Sequence, residues 1–476
     1  MTPPAHATNN RPAEAGSGGR RGLGAKHKIR VNLLLQLAGL LTSGLCLGWA
    51  VYFMRQGQWA VVPVFAVMIL AGVVCCILAG RGLVYWAGGI ELVTMFVAIC
   101  GICLVLDLPS ERVARSTHLF FLPIGAGAYM VLRGNYWWLR HGVVLFFFVA
   151  FGVLATTSGG WHTAYALSDE VREIGSKIDC FFAIAALFTV LYVMQADVES
   201  RNAFETDLRH ALVEDQFVLH YQPQVNANGQ LTGAEALVRW QHPRRGMVPP
   251  GEFIPLAETS GLILPLGDWV LKQACTHMAE WATHPHTAGL TMAVNVSARQ
   301  FRQPDFVAQV MAVVARSGID PKLLKLELTE SMLVNNIEDI ITKMNALKAH
   351  GVGFSLDDFG TGYSSLSYLQ RLPLDQLKID QAFVRDLLVN PNDLAIARTV
   401  INLGQSLNLA VIAEGVETEG QRDALASINC PAFQGYLFSK PLPYALFMQY
   451  AQTNRNGMPS TPVQAPQGRS LLVTPA

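Results

Sequence analysis

Residues 324–330 read Leu324-Lys325-Leu326-Glu327-Leu328-Thr329-Glu330. Side chains alternate along a strand, so the three leucines share one face while Lys325, Glu327 and Thr329 share the other. If the strand belongs to a closed sheet wrapped by helices, the leucine face packs on the helices and Glu327 points inward. The same alternation recurs outward from this stretch. In Ala234-Glu235-Ala236-Leu237-Val238-Arg239-Trp240 it puts Glu235 and Arg239 on one face. Asn295 stands opposite Val294 and Val296, and Lys378 opposite Leu377 and Ile379. Asp357 and Asp358 end one strand-like run, and Glu414 ends the run that starts at Ala410.

Strand-like segments fall at 217–226, 232–241, 291–297, 323–329, 353–358, 376–380, 410–415 and 433–438. Amphipathic helical stretches lie between most of them, as at 263–283, 304–317, 337–350 and 391–408. An open doubly wound sheet fits this spacing too. The strand count, and polar residues placed near the C-terminal strand ends, favour a (β/α)8 barrel. Five carboxylates (Glu235, Glu327, Asp357, Asp358, Glu414), Asn295 and Lys378 then converge on one mouth. Any one of them alone reads equally well as a solvated strand-end residue, but all of them on inward faces of different strands do not. Clustered carboxylates repel, so they take up protons or bind a cation. Oxygen donors without His or Cys select Mg²⁺ or Mn²⁺ over zinc. Adjacent Asp357 and Asp358 supply oxygens for two ions, the arrangement used for phosphodiester displacement.

Upstream the composition changes. The chain is 51% hydrophobic and 15% charged, against about 25% charged in an ordinary soluble protein. The deficit sits in the first 200 or so residues. Residues 1–30 are polar, end in a basic cluster (Arg20, Arg21, Lys26, Lys28, Arg30), and read as a disordered N-terminus. Residues 31–195 read as an all-α membrane domain of about six transmembrane helices, at 31–54, 59–80, 83–106, 118–132, 142–158 and 178–195. The run 118–132 is short enough for a re-entrant piece. Six spans put both termini on one side, and the Lys/Arg balance, led by the N-terminal cluster, makes that side the cytoplasm. An anchor needs one span only, so six leave room for a sensor, with His118, His141, Asp179 and the loop 158–177 as possible contacts. Residues 196–214 read as a connecting amphipathic helix, 215–453 as the barrel and 454–476 as a disordered tail. A formal net charge of zero points to no DNA or RNA polymer as partner. Eight cysteines, mostly in apolar runs, form neither a zinc motif nor a disulfide framework.

Residues 203–452 resemble an EAL domain. The signature stands as Glu235-Ala236-Leu237. Around it stand Tyr221-Gln222-Pro223, Asn295-Val296-Ser297, Glu327-Leu328-Thr329-Glu330, Asp357-Asp358-Phe359-Gly360-Thr361-Gly362, Lys378-Ile379-Asp380, Glu414-Gly415-Val416-Glu417 and Gln434-Gly435-Tyr436. The resemblance implies a modified TIM barrel with one antiparallel strand, and hydrolysis of cyclic di-GMP to linear pGpG. It implies that Glu235, Asn295, Glu327 and Asp357 hold one Mg²⁺ or Mn²⁺ ion, and that Asp357, Asp358 and Glu414 hold a second. Lys378, with Glu235 and Glu414, carries the catalytic role, Lys378 positioning or activating water. Gln222, Arg239, Asp380, Glu417 and Gln434 contact substrate or the groups around the metals, Arg239 holding a phosphate. Glu330 braces the loop carrying Gly360, Thr361 and Gly362, which couples metal binding to a homodimer through the EAL domain. The expected whole is an inner-membrane cyclic di-GMP phosphodiesterase regulated by its membrane domain. Two rivals are a catalytically silent EAL receptor that signals by contact, and a transporter with a regulatory domain. The latter needs ionisable residues within the spans, which are nearly free of charge.

Overall fold

The computed structural model describes residues 23–454 except 134, 331, 333–335 and 360–368. The chain divides into two compact units, Met1–Phe204 and Glu205–Ala476.

The first unit is helical: α1 (Leu23–Arg55), α2 (Val62–Gly80), α3 (Val84–Val105), α4 (Phe121–Val131), α5 (Trp137–Thr156) and the start of α6 (Asp169–Ala211). Five of these helices are long and apolar enough to cross a membrane, by length and composition alone. The sixth apolar run, Thr117–Val131, is shorter. Lipid offers no water to drive helices together, so small residues and internal polar contacts must hold such a bundle. Gly39 and Gly72 do so for α1 and α2: a Cβ on either would lie 2.5 Å from the carbonyl oxygen of the other.

Two buried polar clusters tie the helix ends. At one, Asp107 accepts from Arg172 Nε (3.2 Å) and from the Ser116 N–H (2.8 Å). Arg115 there donates to the carbonyls of Leu154 (2.9 Å) and Gly159 (2.7 Å). At the other, Asp197 meets both Arg30 and Arg133. The chain therefore runs from the Asp107 cluster at Ser116 to the Asp197 cluster at Arg133 within this short stretch.

Two expectations need correction here. Residues 23–30, read as the end of a disordered segment, form the first turns of α1. The last span and the connecting helix are one helix of 43 residues, and half of the loop 158–177 belongs to it. The expected spans, nearly free of charge, hold one buried acid in α3, Glu91, 7% exposed. The expected disordered segments at 1–22 and 455–476 lie outside the described residues.

The second unit is a closed barrel. Its eight staves are β1 (Phe217–Asn226), β2 (Leu231–His242), β4 (Thr291–Asn295), β5 (Leu324–Thr329), β6 (Gly353–Phe359), β7 (Gln376–Ile379), β8 (Ala410–Ala413) and β9 (Ala432–Gln434). From β2 round to β9 they pair in parallel, and β1 closes the ring antiparallel to both β2 and β9. Two short strands, β3 (Gly246–Val248) and β10 (Leu442–Pro443), extend β2 and β1. They are too short to show a period in sequence. Helices cover the outside, among them Ile263–Ala282, Phe306–Ser317, Ile337–Lys348 and Pro391–Ser406. Leu324, Leu326 and Leu328 are fully buried in the layer between strands and helices.

Candidate active site

The strands deliver their inward polar residues to one place. Asn295 lies beside Glu327 in the β4–β5 register, and Glu235 beside Ala293 in β2–β4. Lys378, from the centre of β7, is fully buried. Its ammonium stands 2.6 Å from Glu327, 3.4 Å from Asp357 and 3.6 Å from Glu235, and it also contacts Glu414. Glu414 follows the end of β8, and its N–H donates to the Ile379 carbonyl (3.1 Å).

A bulge ends β6. Leu356 pairs with Leu377 and Phe359 with Ile379, so β6 carries one residue more than β7 over this span. The extra residue breaks the alternation that would send the two aspartates to opposite faces. Asp358 takes a left-handed φ of 56°, which aspartate tolerates better than most residues. Its N–H donates to Asp357 Oδ1 (2.9 Å).

Around Glu235 runs a chain of amides, buried at Gln222, Gln224 and Gln434 and exposed at Asn295. Asn295 Nδ2 donates to one Glu235 oxygen and Gln434 Nε2 to the other, each at 2.6 Å. Gln434 Nε2 also donates to Gln222 Oε1 (3.1 Å), and Gln224 Nε2 to Gln434 Oε1 (2.9 Å). Gln224 was missed in the sequence. Its signal is the two-residue spacing from Gln222, which puts both on one face of β1.

The remaining candidates surround this cluster, Asp380 hydrogen-bonded to Asp358. Arg239 is half-buried and donates to the Val238 carbonyl (2.9 Å). Asp380 accepts from the Ala382 N–H (2.6 Å) as a helix cap. Glu417 is exposed, its backbone N–H donating to Gln421. Glu330 is buried, whereas Gly360, Thr361 and Gly362 lie outside the described residues.

Charge is unbalanced here, with one ammonium facing four carboxylates. Burial alone would lower the Lys378 pKa, but Glu235, Glu327, Glu414 and Asp357 raise it well above the lysine range. Burial pushes Glu414 up to about 8 despite Lys378, with Asp357 and Glu235 adding to the rise. Burial and Asp357 push Asp358 up to about 6. Burial would raise Glu235 too, but Lys378 and the amides of Gln434 and Asn295 hold it below the usual value. Such a cluster accepts cations or protons.

Among the described residues, no three His, Cys, Asp or Glu side chains stand at metal-ligand spacing; the carboxylates close on the ammonium instead. The donor set nonetheless fits hard divalent ions. Every side-chain donor the cluster offers to a cation is oxygen, and Glu327 Oε1 is buried with no hydrogen-bond partner.

Fold and mouth together define a barrel of the (β/α)8 class, with one reversed strand and an oxygen-rich centre. The EAL domain model matches residues 205–441. A solved structure, the PaMucR phosphodiesterase in complex with c-di-GMP, shares 46% identity with a TM-score of 0.50, covering 51% of this chain and 98% of that one. The EAL enzyme Bd1971 in its cAMP-bound form gives 31% identity and a TM-score of 0.51, covering 56% of this chain and 75% of that one. The chain belongs to the EAL-domain family. Among its relatives, the bifunctional diguanylate cyclase/cyclic di-GMP phosphodiesterase MucR of Pseudomonas aeruginosa is 45% identical, over 58% of this chain and 39% of MucR. The cyclic di-GMP phosphodiesterase NbdA of the same organism is 44% identical, over 53% of this chain and 32% of NbdA. The chain thus spans well under half the length of these relatives.

Proposed function

We propose that this chain is a membrane-bound cyclic di-GMP phosphodiesterase that hydrolyses its substrate to linear pGpG with two divalent ions. The observation that carries the reading is the gathering of Glu235, Glu327, Asp357 and Glu414 round Lys378. Relatives named for this activity match the region that holds it.

Glu235, Asn295, Glu327 and Asp357 would hold one Mg²⁺ or Mn²⁺ ion, and Asp357, Asp358 and Glu414 a second. Bound there, the ions supply Lewis-acid activation of the phosphodiester and neutralise developing charge. The chain's own residues do the rest. Gln434 and Asn295 fix both Glu235 oxygens, so the carboxylate meets its ligand preorganised. The raised Lys378 pKa keeps a proton on Nζ at the floor of the site, where it steadies the attacking water and opposes negative charge. Arg239 offers a planar fork for a substrate phosphate. Gln222, Asp380 and Glu417 stand as second contacts to substrate, and Glu330 as the brace of the dimer-coupling loop. The helical unit would place the enzyme in the inner membrane with both termini cytoplasmic, beside its nucleotide, and would regulate it.

The test is hydrolysis of cyclic di-GMP by the full chain in lipid nanodiscs. We expect pGpG with Mg²⁺ or Mn²⁺, none in excess EDTA, and inhibition by Ca²⁺, which prefers longer bonds and higher coordination. Tight cyclic di-GMP binding with no turnover under any metal would replace this reading with that of a receptor.

A further inference from the structure

The inner face of β6 carries a polar side chain that the proposed chemistry leaves unused. Phe354 and Leu356 are fully buried in the layer between strands and helices, so alternation turns Ser355 inward with Asp357. Ser355 is 0% exposed, and its Oγ is buried with no hydrogen-bond partner. A buried hydroxyl left unpaired is costly. In the strand register Ser355 pairs with Glu327 of β5 on one side and Gln376 of β7 on the other, neighbouring strands lying about 4.8 Å apart. Toward the N-terminal strand ends, Lys325 crosses Gly353, where a Cβ would lie 3.8 Å from Lys325 Cγ, and donates to Gln376 Oε1 (2.8 Å). Toward the mouth stand Glu327 and Asp357, both facing Lys378. Ser355 thus lies in a closed polar layer directly under the carboxylates.

The two buried glutamates of the mouth are held differently. Glu235 receives an amide on each oxygen. Glu327, 1% exposed, meets Lys378 through Oε2 (2.6 Å). Its carboxyl also lies within hydrogen-bond reach of the Glu235 carboxyl. That contact serves only while one of the pair holds a proton, and both are ionised when they ligate a cation. Among the described residues no neutral donor reaches Glu327 Oε1. A carboxylate that ligates a metal is oriented by donors on its remaining lone pairs. A serine hydroxyl turns about χ1 between staggered positions and is free to donate. We propose that Ser355 is a positioning residue for Glu327: its hydroxyl donates to Oε1 and fixes that carboxylate for a divalent ion. The inference rests on the two-metal reading above and assigns Ser355 no contact with substrate.

The test is calorimetric titration of Mn²⁺ into the full chain in nanodiscs, stripped of metal with EDTA and dialysed, beside melting curves in EDTA. Ser355→Ala should bind Mn²⁺ about tenfold more weakly than the wild type, the worth of one hydrogen bond to a charged group. Its melting midpoint in EDTA should be no lower, because the change removes an unpaired buried hydroxyl. Turnover of Ser355→Ala should recover at saturating Mn²⁺, since the defect lies in holding the ion. Ser355→Thr keeps the hydroxyl and should bind Mn²⁺ near wild-type affinity. Should its added methyl prevent folding, Ser355→Cys, a weaker donor, should fall between the wild type and Ser355→Ala. Wild-type Mn²⁺ affinity in Ser355→Ala overturns the proposal. So does a rescuing variant that binds as weakly as Ser355→Ala, which would make the loss one of packing. A wild-type chain that takes up no Mn²⁺ would sink the two-metal reading itself, an outcome distinct from both.

Discussion

At the scale of single residues the barrel mouth is an electrostatic problem solved by Lys378. Its ammonium offsets part of a charge that four carboxylates cannot all carry in a desolvated site. Glu235→Ala removes a proposed ligand, so metal affinity and turnover should fall together, with raised Mn²⁺ recovering part of the loss. Lys378→Ala removes no ligand and takes away a competing cation. Metal should bind at least as tightly as in the wild type, while turnover drops about 10²–10⁴-fold if Lys378 acts in proton transfer. Calorimetric binding in Ca²⁺ beside hydrolysis in Mg²⁺ separates the two cases. Wild-type turnover in Glu235→Ala would mean that the metal assignment is wrong.

The same residues set a pH dependence. Glu414 rises from an ordinary 4.5 to about 8 in the folded protein. Between these values the metal-free folded state binds more protons than the unfolded state, so stability falls as pH rises through the window. In EDTA the thermal midpoint of the barrel should therefore drop from pH 5 toward pH 8. Mg²⁺ should flatten that slope, because metal binding releases the protons. A midpoint that rises with pH in EDTA would contradict the raised Glu414.

At the scale of elements, the β6 bulge and the start of the chain after β9 hold the mouth in shape. Gly435 follows Gln434, and a Cβ there would lie 2.1 Å from the Val416 carbonyl oxygen and 2.3 Å from its nitrogen. Val416 N–H donates to the Gln434 carbonyl (3.1 Å), so neither backbone can retreat without breaking that pair. Gly435→Ala should cost about 1–3 kcal/mol by overpacking. It should also lower turnover by loosening the Gln434 bond to Glu235, read by a melting curve beside hydrolysis. In β6, Asp358→Asn keeps a residue suited to positive φ, so it should melt near the wild-type temperature while losing metal affinity. Asp358→Val should lose both, since a branched Cβ is strained there. Equal melting of the two variants would count against strain at the bulge.

At the scale of the whole molecule, the proposed membrane anchoring makes a prediction about how often the first unit crosses the bilayer. The stretch 117–131 covers about 22 Å as a helix, short of a hydrocarbon core of about 30 Å. Yet it joins the Asp107 cluster to the Asp197 cluster. We expect it to cross. Reporter fusions at residues 111 and 135 should report opposite sides, and fusions at 25 and 200 should both report the cytoplasm. Identical signals at 111 and 135 would make this run re-entrant.

Much of this was legible in the sequence, because alternation along a strand depends only on local geometry. Glu327 among its leucines, Lys378 between Leu377 and Ile379, and Glu235 with Arg239 could be assigned faces from spacing alone. The eight staves were readable for the same reason. Other features depend on residues far apart in the chain. Lys378 could be seen to face inward, but not to stand at the centre of the carboxylates, which needs β2, β5, β6 and β8 to close around β7. The bulge at Asp357 and Asp358 is a mismatch between two strands, and neither strand records it alone. Gln224 and Gln434 are 210 residues apart and meet only because β1 closes the ring beside β9. Glu91, one acid in an apolar run, was passed over in the sequence. Only the packing of α3 against α1 showed it buried, with Thr42 donating to its carboxylate, because burial is a property of neighbours that sequence does not place.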